Sequence, residues 1–399
     1  MKRLWLWFTA FTLCGFILIA QAGQGSSLAQ KPAAEKKTAP GVEAAQTISM
    51  LTGVAISPLL GVSAVGAWKY FDAPKDQRAN LPWYAQPWFW LLGLGLVAAV
   101  AAKDAIGPAV PTVLKKPLDV AEAVENKISG LVAAGAFVPS AATFLSVAQD
   151  VTAASAGWPM IAGIDGAAIV NALLLPFAVV AFLIVWLVGH AINMLILLSP
   201  FATVDAALKA FRAFILSTVC ATSFVDPYVG AVWALIIIGV SYFLAGWAFR
   251  LTVFGTLFIT DYVTFKRTRF LPDDRANWMF LAREINGVPI RTFGKLSRNE
   301  AGEFIFTYKP WLVLPQRALT LPKGRYAVGR ALVLPEFHLV DGDDSWAVLV
   351  MPPRCVTHEE RLARIYGVEL VDVGVLKGAR ALWNFVKRLF GVRPRPATA

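Results

Sequence analysis

Apolar residues in this chain are grouped in long runs through its first two-thirds and in short alternating segments after that. Four runs approach or exceed the roughly 20 apolar residues that a helix needs to cross a bilayer: Thr47–Trp68, Trp88–Ile106, Ala167–Leu198 and Val229–Ile259. Two further stretches are weaker. Ser129–Ala148 is rich in small residues and carries Pro139, and Val204–Phe224 begins amphipathic and ends apolar. The two longest runs exceed the hydrocarbon thickness as straight helices, so they must tilt, kink or protrude. Pro176 is a natural kink site in the first. Arg250 marks where the second leaves the apolar layer, with its stem reaching back to the interface.

The pattern changes near Asp261. Alternating segments predict strands at Asn277–Glu284, Val288–Leu296, Glu303–Tyr308, Arg325–Leu334 and Trp346–Met351, separated by turn sequences such as Asn286-Gly287 and Asp341-Gly342. Thr357-His358-Glu359-Glu360 reads as a capping box opening a helix to Tyr366, ended by Gly367. Val368–Val373 reads as a last strand. Residues 261–373 thus form a β-rich soluble domain, expected to be a small barrel or sandwich.

Before the runs, residues 1–22 have the layout of a secretory signal: Lys2 and Arg3, an apolar stretch, then Ala20-Gln21-Ala22. An uncleaved anchor is the alternative. Residues 23–46, rich in Gly, Ser, Gln, Ala and Lys, read as a disordered linker. After the β-rich domain, residues 374–399 contain a basic amphipathic helix at Val375–Phe390 followed by a tail. Lys377, Arg380, Lys387 and Arg388, with Trp383 at the boundary, are candidate contacts to a lipid surface; packing of the apolar face on the β domain is the competing use.

Composition agrees. The 399 residues are 57% hydrophobic and 16% charged, with 14 Trp and 26 Phe, against about 45–50% and about 25% in soluble domains. A soluble enzyme and a disordered chain are both disfavoured. The fold class expected is a helical membrane bundle of about five spans (47–260) with a C-terminal β-rich domain closed by an amphipathic helix. Charge is uneven: from Ile259 onward there are 22 Lys and Arg against 14 Asp and Glu. Lys and Arg beside spans mark the cytoplasmic side, so Lys266, Arg267 and Arg269 place the β-rich domain inside, and the mature N-terminus lies outside. That demands an odd number of crossings, met by letting Val204–Phe224 cross and Ser129–Ala148 not. The lysines of 103–128 then fall outside, against the same rule. Nucleic-acid binding is the weaker reading of the basic charge, since no matching motif accompanies it.

Chemistry is sought where polar groups fall at membrane depth. His190 and Asn193 share a helix face, and Asp205, Lys209 and Arg212 form a stripe on the next helix; with Arg250 they make the candidate polar membrane site. They read either as a pathway lining or as interhelical hydrogen bonds. Glu122, Glu125 and Asn126 read as a solvated helix face. Gly61, Gly66, Gly93, Gly95, Gly239 and Gly246 suit close helix contact. No catalytic residue, metal site or cofactor is expected: three Cys and three His lack metal-ligand spacing, and nucleophile and phosphate-loop motifs are missing. The layout suggests a non-enzymatic anchor, scaffold or sensor of the bacterial inner membrane, holding a protein partner or lipid headgroups. A transporter or channel is the alternative, and a lipid-acting enzyme comes third.

Overall fold

The computed structural model describes residues 42–106, 120, 122–135, 166–199, 202–331, 334–342 and 344–373. The expected signal peptide, residues 23–41 of the linker, most of Ser129–Ala148 and the C-terminal amphipathic helix lie outside the described residues, as do Lys377, Arg380, Trp383, Lys387 and Arg388. The chain divides between Ala248 and Phe249 into two compact units.

The first unit is helical. It contains α1 (Val42–Ile56), α2 (Pro58–Asp72), α3 (Pro87–Ile106), α4 (122–135), α5 (Gly166–Leu198), α6 (Ala202–Val225) and the first part of α7 (Pro227–Val263). Helix already runs through 42–46, which corrects the C-terminal limit of the expected linker. The first expected span is also corrected. Thr47–Trp68 is not one helix, because Ser57-Pro58 breaks it into two of 15 residues. Each is about 22 Å long, short of a hydrocarbon core of about 30 Å. The chain turns tightly at the break, and a β carbon on Gly61 would come within 2.7 Å of Val54 Cα.

Three helices among the described residues are long and apolar enough to cross a membrane: Pro176–Leu198 within α5, Thr203–Val225 within α6, and α7. That is fewer than the five expected. Helix α3 is apolar over Pro87–Val100 but shorter. The first part of α7 shows an exposed apolar stripe, Val229, Val232, Ile236, Val240 and Phe243, as a lipid-facing helix requires. Aromatic residues crowd the α2–α3 connection. Trp68, Phe71, Trp83 and Trp88 are exposed there, and Trp83 meets Phe89 edge-on at 4.9 Å, as at a membrane–water boundary.

The second unit holds the rest of α7, a four-residue helix α8 (Lys266–Arg269), and one mixed sheet. Its strands are β1 (Ala276–Leu281), β2 (Phe293–Arg298), β3 (Phe304–Tyr308), β4 (Arg317–Thr320), β5 (Arg325–Arg330), β6 (Glu336–Asp341), β7 (Asp344–Val350) and β8 (Glu369–Asp372), with helix α9 (Glu359–Tyr366) before the last. The order is β4-β3-β2-β1-β7-β6-β5-β8. All described pairings are antiparallel except β5 with β8, which α9 lets return parallel. Phe304 on β3 meets Tyr326 on β5 at 5.0 Å and Phe337 on β6 at 5.1 Å, although β2, β1 and β7 lie between them in the order. The sheet therefore curls round one core, and β4 and β8 are its edges.

Several boundaries differ from expectation. The second strand starts at Phe293 rather than Val288, because Arg291 takes a left-handed backbone after the Asn286-Gly287 turn. β4 and β6 were not foreseen. β4 buries one residue of four, too few to reveal alternation. The capping box does not form. His358 occupies the N-cap, Thr357 has φ 74°, and its N–H donates to the Glu359 carboxylate. Gly367 ends α9 in the left-handed conformation, as expected.

Two buried polar constructions hold this unit. The Tyr366 hydroxyl donates to Leu296 O at 3.2 Å and accepts from Asn277 N and Nδ2 at 3.2 and 3.1 Å, joining α9, β2 and β1. Arg354 meets Asp261 near the end of α7 through Nε at 2.8 Å and Nη2 at 2.7 Å, with both side chains nearly out of solvent. Replacing Tyr366→Phe removes the acceptor of the Asn277 N–H and the donor to Leu296 O, while Asn277 Nδ2 keeps Asp273 O; it should cost about 1–3 kcal/mol, read as a lower melting temperature of the full chain in detergent. Burial pushes the Tyr326 and Tyr366 phenols from 10.0 up to about 12. Stabilisation from keeping them neutral is complete below pH 10 and lost as pH rises toward about 12. Tyrosinate absorbance against pH should show two late-titrating tyrosines, the Tyr366 one missing in the Phe variant.

Candidate polar site in the helical unit

The break between α1 and α2 has a consequence for the rest of the bundle. The last carbonyls of a helix have no intrahelical donor, and the proline at position 58 has no N–H to offer. Ile56 O is one such carbonyl, and Arg212 on α6 donates Nε–H to it at 3.0 Å. The guanidinium thus caps α1 at the negative end of its dipole. Its Nη1 donates to Asn193 Oδ1 on α5 at 2.8 Å. Glu122 and Glu125 on α4 add favourable charge to the same guanidinium.

His190, one turn before Asn193, is fully buried. Its Nδ1 lies 2.9 Å from Asn126 Oδ1 on α4. An amide oxygen can only accept, so Nδ1 is the donor of this hydrogen bond. Trp186, a further turn back, stacks on the imidazole with centroids 5.3 Å apart and planes 12° apart, and its Nε1 donates to Asn126 O at 3.4 Å. Gly130 makes this possible, since a β carbon there would come within 2.1 Å of Trp186 Nε1. Ser129 Oγ also donates to Asn126 O. Lys209 on α6 pairs with Glu122 at 3.5 Å, and Asp205, one turn earlier, is buried.

Four helices therefore meet through polar groups. Of the expected site residues, the structure joins Asn193 and Arg212 directly, ties His190 to α4 through Asn126, and ties Lys209 to α4 through Glu122. Arg250 belongs to the second unit, where its Nε donates to Ile290 O at 3.0 Å. A correction concerns α4. Asn126 is 4% exposed and Glu122 and Glu125 are partly buried, so this is an interior face rather than a solvated one. Spacing showed that these residues share a face; only packing decides which side faces the protein. The glycine reading holds in part. Gly61, Gly66 and Gly93 are close-contact points, whereas nothing approaches Gly95 or Gly239 among the described residues.

The second unit has a cleft of about 550 Å³ where the flanks of the curled sheet approach, lined among others by Arg298, Glu303, Phe304, Lys323 and Tyr326. Its charges serve the fold: Lys323 pairs with Glu303 at 3.4 Å, and Arg298 donates to Gly302 O and Tyr366 O. Cys355 is buried, which pushes its thiol up and makes it unreactive, and Cys220 is exposed on α6. Among the described residues no cluster of His, Cys, Asp or Glu could hold a metal ion.

The expected energetics follow from this geometry. Interhelical hydrogen bonds in bilayers are worth about 0.6 kcal/mol on average and about 1.7 at most. A double-mutant cycle of His190→Ala and Asn126→Ala, read by unfolding in detergent, should give coupling in that range. Arg212→Met leaves Ile56 O and Asn193 Oδ1 without the guanidinium donors and removes the positive charge that favours Glu122 and Glu125. It should cost about 3 kcal/mol or more, several times the His190→Ala effect, measured in the same way. Comparison with known protein families, curated sequences and solved structures finds no match for this chain.

Proposed function

We propose that this chain is a multi-pass protein of a bacterial inner membrane, in which a helical bundle anchors a C-terminal β domain that holds a partner at the membrane, with no catalytic step of its own. One observation carries the reading. Helix α7 is apolar and exposed over its first part, yet its last part belongs to the β domain through Asp261 and Arg354. A single helix thus serves as both membrane element and structural member of the soluble domain, as an anchor requires. The polar network of α1, α4, α5 and α6 supports the same reading, because most of its groups are spent on one another.

In this proposal the N-terminus of the bundle is periplasmic and the β domain cytoplasmic, next to Lys266, Arg267 and Arg269. Three crossings by α5, α6 and α7 give that arrangement. Protease added to right-side-out and inverted vesicles tests it through a C-terminal tag. The tag should be protected in the first and lost in the second; the reverse pattern would sink the proposed topology.

A conduit is the second reading, favoured by one detail. Among the described residues His190 Nε2 and Asn193 Nδ2 have no hydrogen-bond partner. Such atoms at membrane depth are costly unless used. Under the anchor reading, His190→Ala lowers stability but leaves proton and ion leak across reconstituted vesicles unchanged. Loss of a measured flux, or of its pH dependence, would transfer the assignment to the conduit.

A further inference from the structure

Helix α7 has 37 residues and is about 55 Å long. A hydrocarbon core takes about 20 residues, which from Pro227 ends near Trp247. Two and three residues further on, loops of the β domain reach the helix. The Phe249 ring lies 4.8 Å from Trp311 in the β3–β4 loop, and Arg250 Nε donates to Ile290 O in the β1–β2 loop. Further along, Phe254 meets Phe280 on β1, and Asp261 meets Arg354. Within the second unit the β domain is therefore laid along α7 from Phe249 to Asp261, with these two loops at the N-terminal end of that stretch.

Those loops carry apolar side chains that the domain does not cover: Ile290, Trp311, Val313 and Leu314 are 37%, 47%, 67% and 44% exposed. Trp311 and Leu312 hold left-handed backbone conformations without being glycine, which few such residues adopt. Cations surround the patch: Arg250 and Arg291 at the helix, and exposed Lys309 and Arg317 at either end of the β3–β4 loop. The acid in these segments is Glu284. Aromatic and aliphatic tips ringed by Lys and Arg, level with the end of a spanning helix, match the chemistry of the headgroup boundary of an anionic bilayer.

We infer that the β3–β4 loop, with Ile290, dips into the anionic lipid surface around α7, so that the β domain is seated on the bilayer by Trp311, Val313 and Leu314. This rests on α7 as a membrane-crossing helix, but not on which side the domain occupies.

Full-length protein in phosphatidylethanolamine–phosphatidylglycerol vesicles tests it, with a spin label introduced by Val313→Cys in a background lacking the exposed thiol (Cys220→Ser). Collisions with oxygen should exceed those with an aqueous nickel chelate, and Lys309→Glu with Arg317→Glu should reverse that ratio. A label at Val263→Cys, about 20 Å further along α7, should favour the nickel chelate. A label at Phe243→Cys should report hydrocarbon. If Phe243 reports hydrocarbon and Val313 reports water, the dipping loop is wrong while the membrane helix stands. If both report water, the membrane reading fails with it. A Val313 label shielded from both reagents would identify a protein occupant and overturn the lipid assignment, and an unchanged ratio after charge reversal would overturn its anionic part.

Discussion

The helical unit depends on how one partly buried cation is accommodated. A guanidinium at membrane depth is expensive, and a helix that stops at a proline leaves carbonyls without donors. Arg212 and the α1–α2 break each remove the other's deficit: the arginine finds an acceptor in Ile56 O and the carbonyl finds a donor. Asn193 takes a second guanidinium N–H, which ties α5 to the same point. Glu122 then compensates Lys209, bringing in α4. Lipid tails and apolar side chains discriminate poorly between one helix packing and another. The polar groups are thus what selects this arrangement of α1, α4, α5 and α6.

The second unit meets a different constraint. A sheet that curls round one core leaves an outer face to be covered, and Phe280 is buried on that side away from the Met279 and Leu281 core. The end of α7 supplies the cover through Phe254. The Asp261–Arg354 pair fixes its register. A buried pair of this kind gains little over apolar residues of similar volume, but a helix shifted by one residue along the sheet would leave both charges uncompensated. The contact thus specifies position more than it stabilises.

Fold class was legible because it depends on local pattern. The apolar runs at 167–198, 204–224 and 229–259 are helices, and six of the eight strands lie within or overlap the predicted segments. The failures have physical causes too. Thr47–Trp68 is uniformly apolar, so hydropathy does not register that Pro58 interrupts its hydrogen bonding. Strand β4 sits at an edge and buries only Leu319, so it has little alternation to detect. The capping box matched in residue type but lost to a left-handed Thr357.

For the site, the sequence by itself determined which residues are polar where water is scarce and which of them share a helix face: His190 with Asn193, and Lys209 with Asp205 and Arg212. It did so because helix periodicity is a local property. Only the tertiary structure decided their partners. Asn126 lies 64 residues from His190, and Ile56 lies 156 from Arg212. Pairings over such separations follow from which helices pack together and at what rotation. Neither the spacing of polar residues nor their composition contains that information, and the same holds for the hydrogen bond from Arg250 to Ile290 O, 40 residues away.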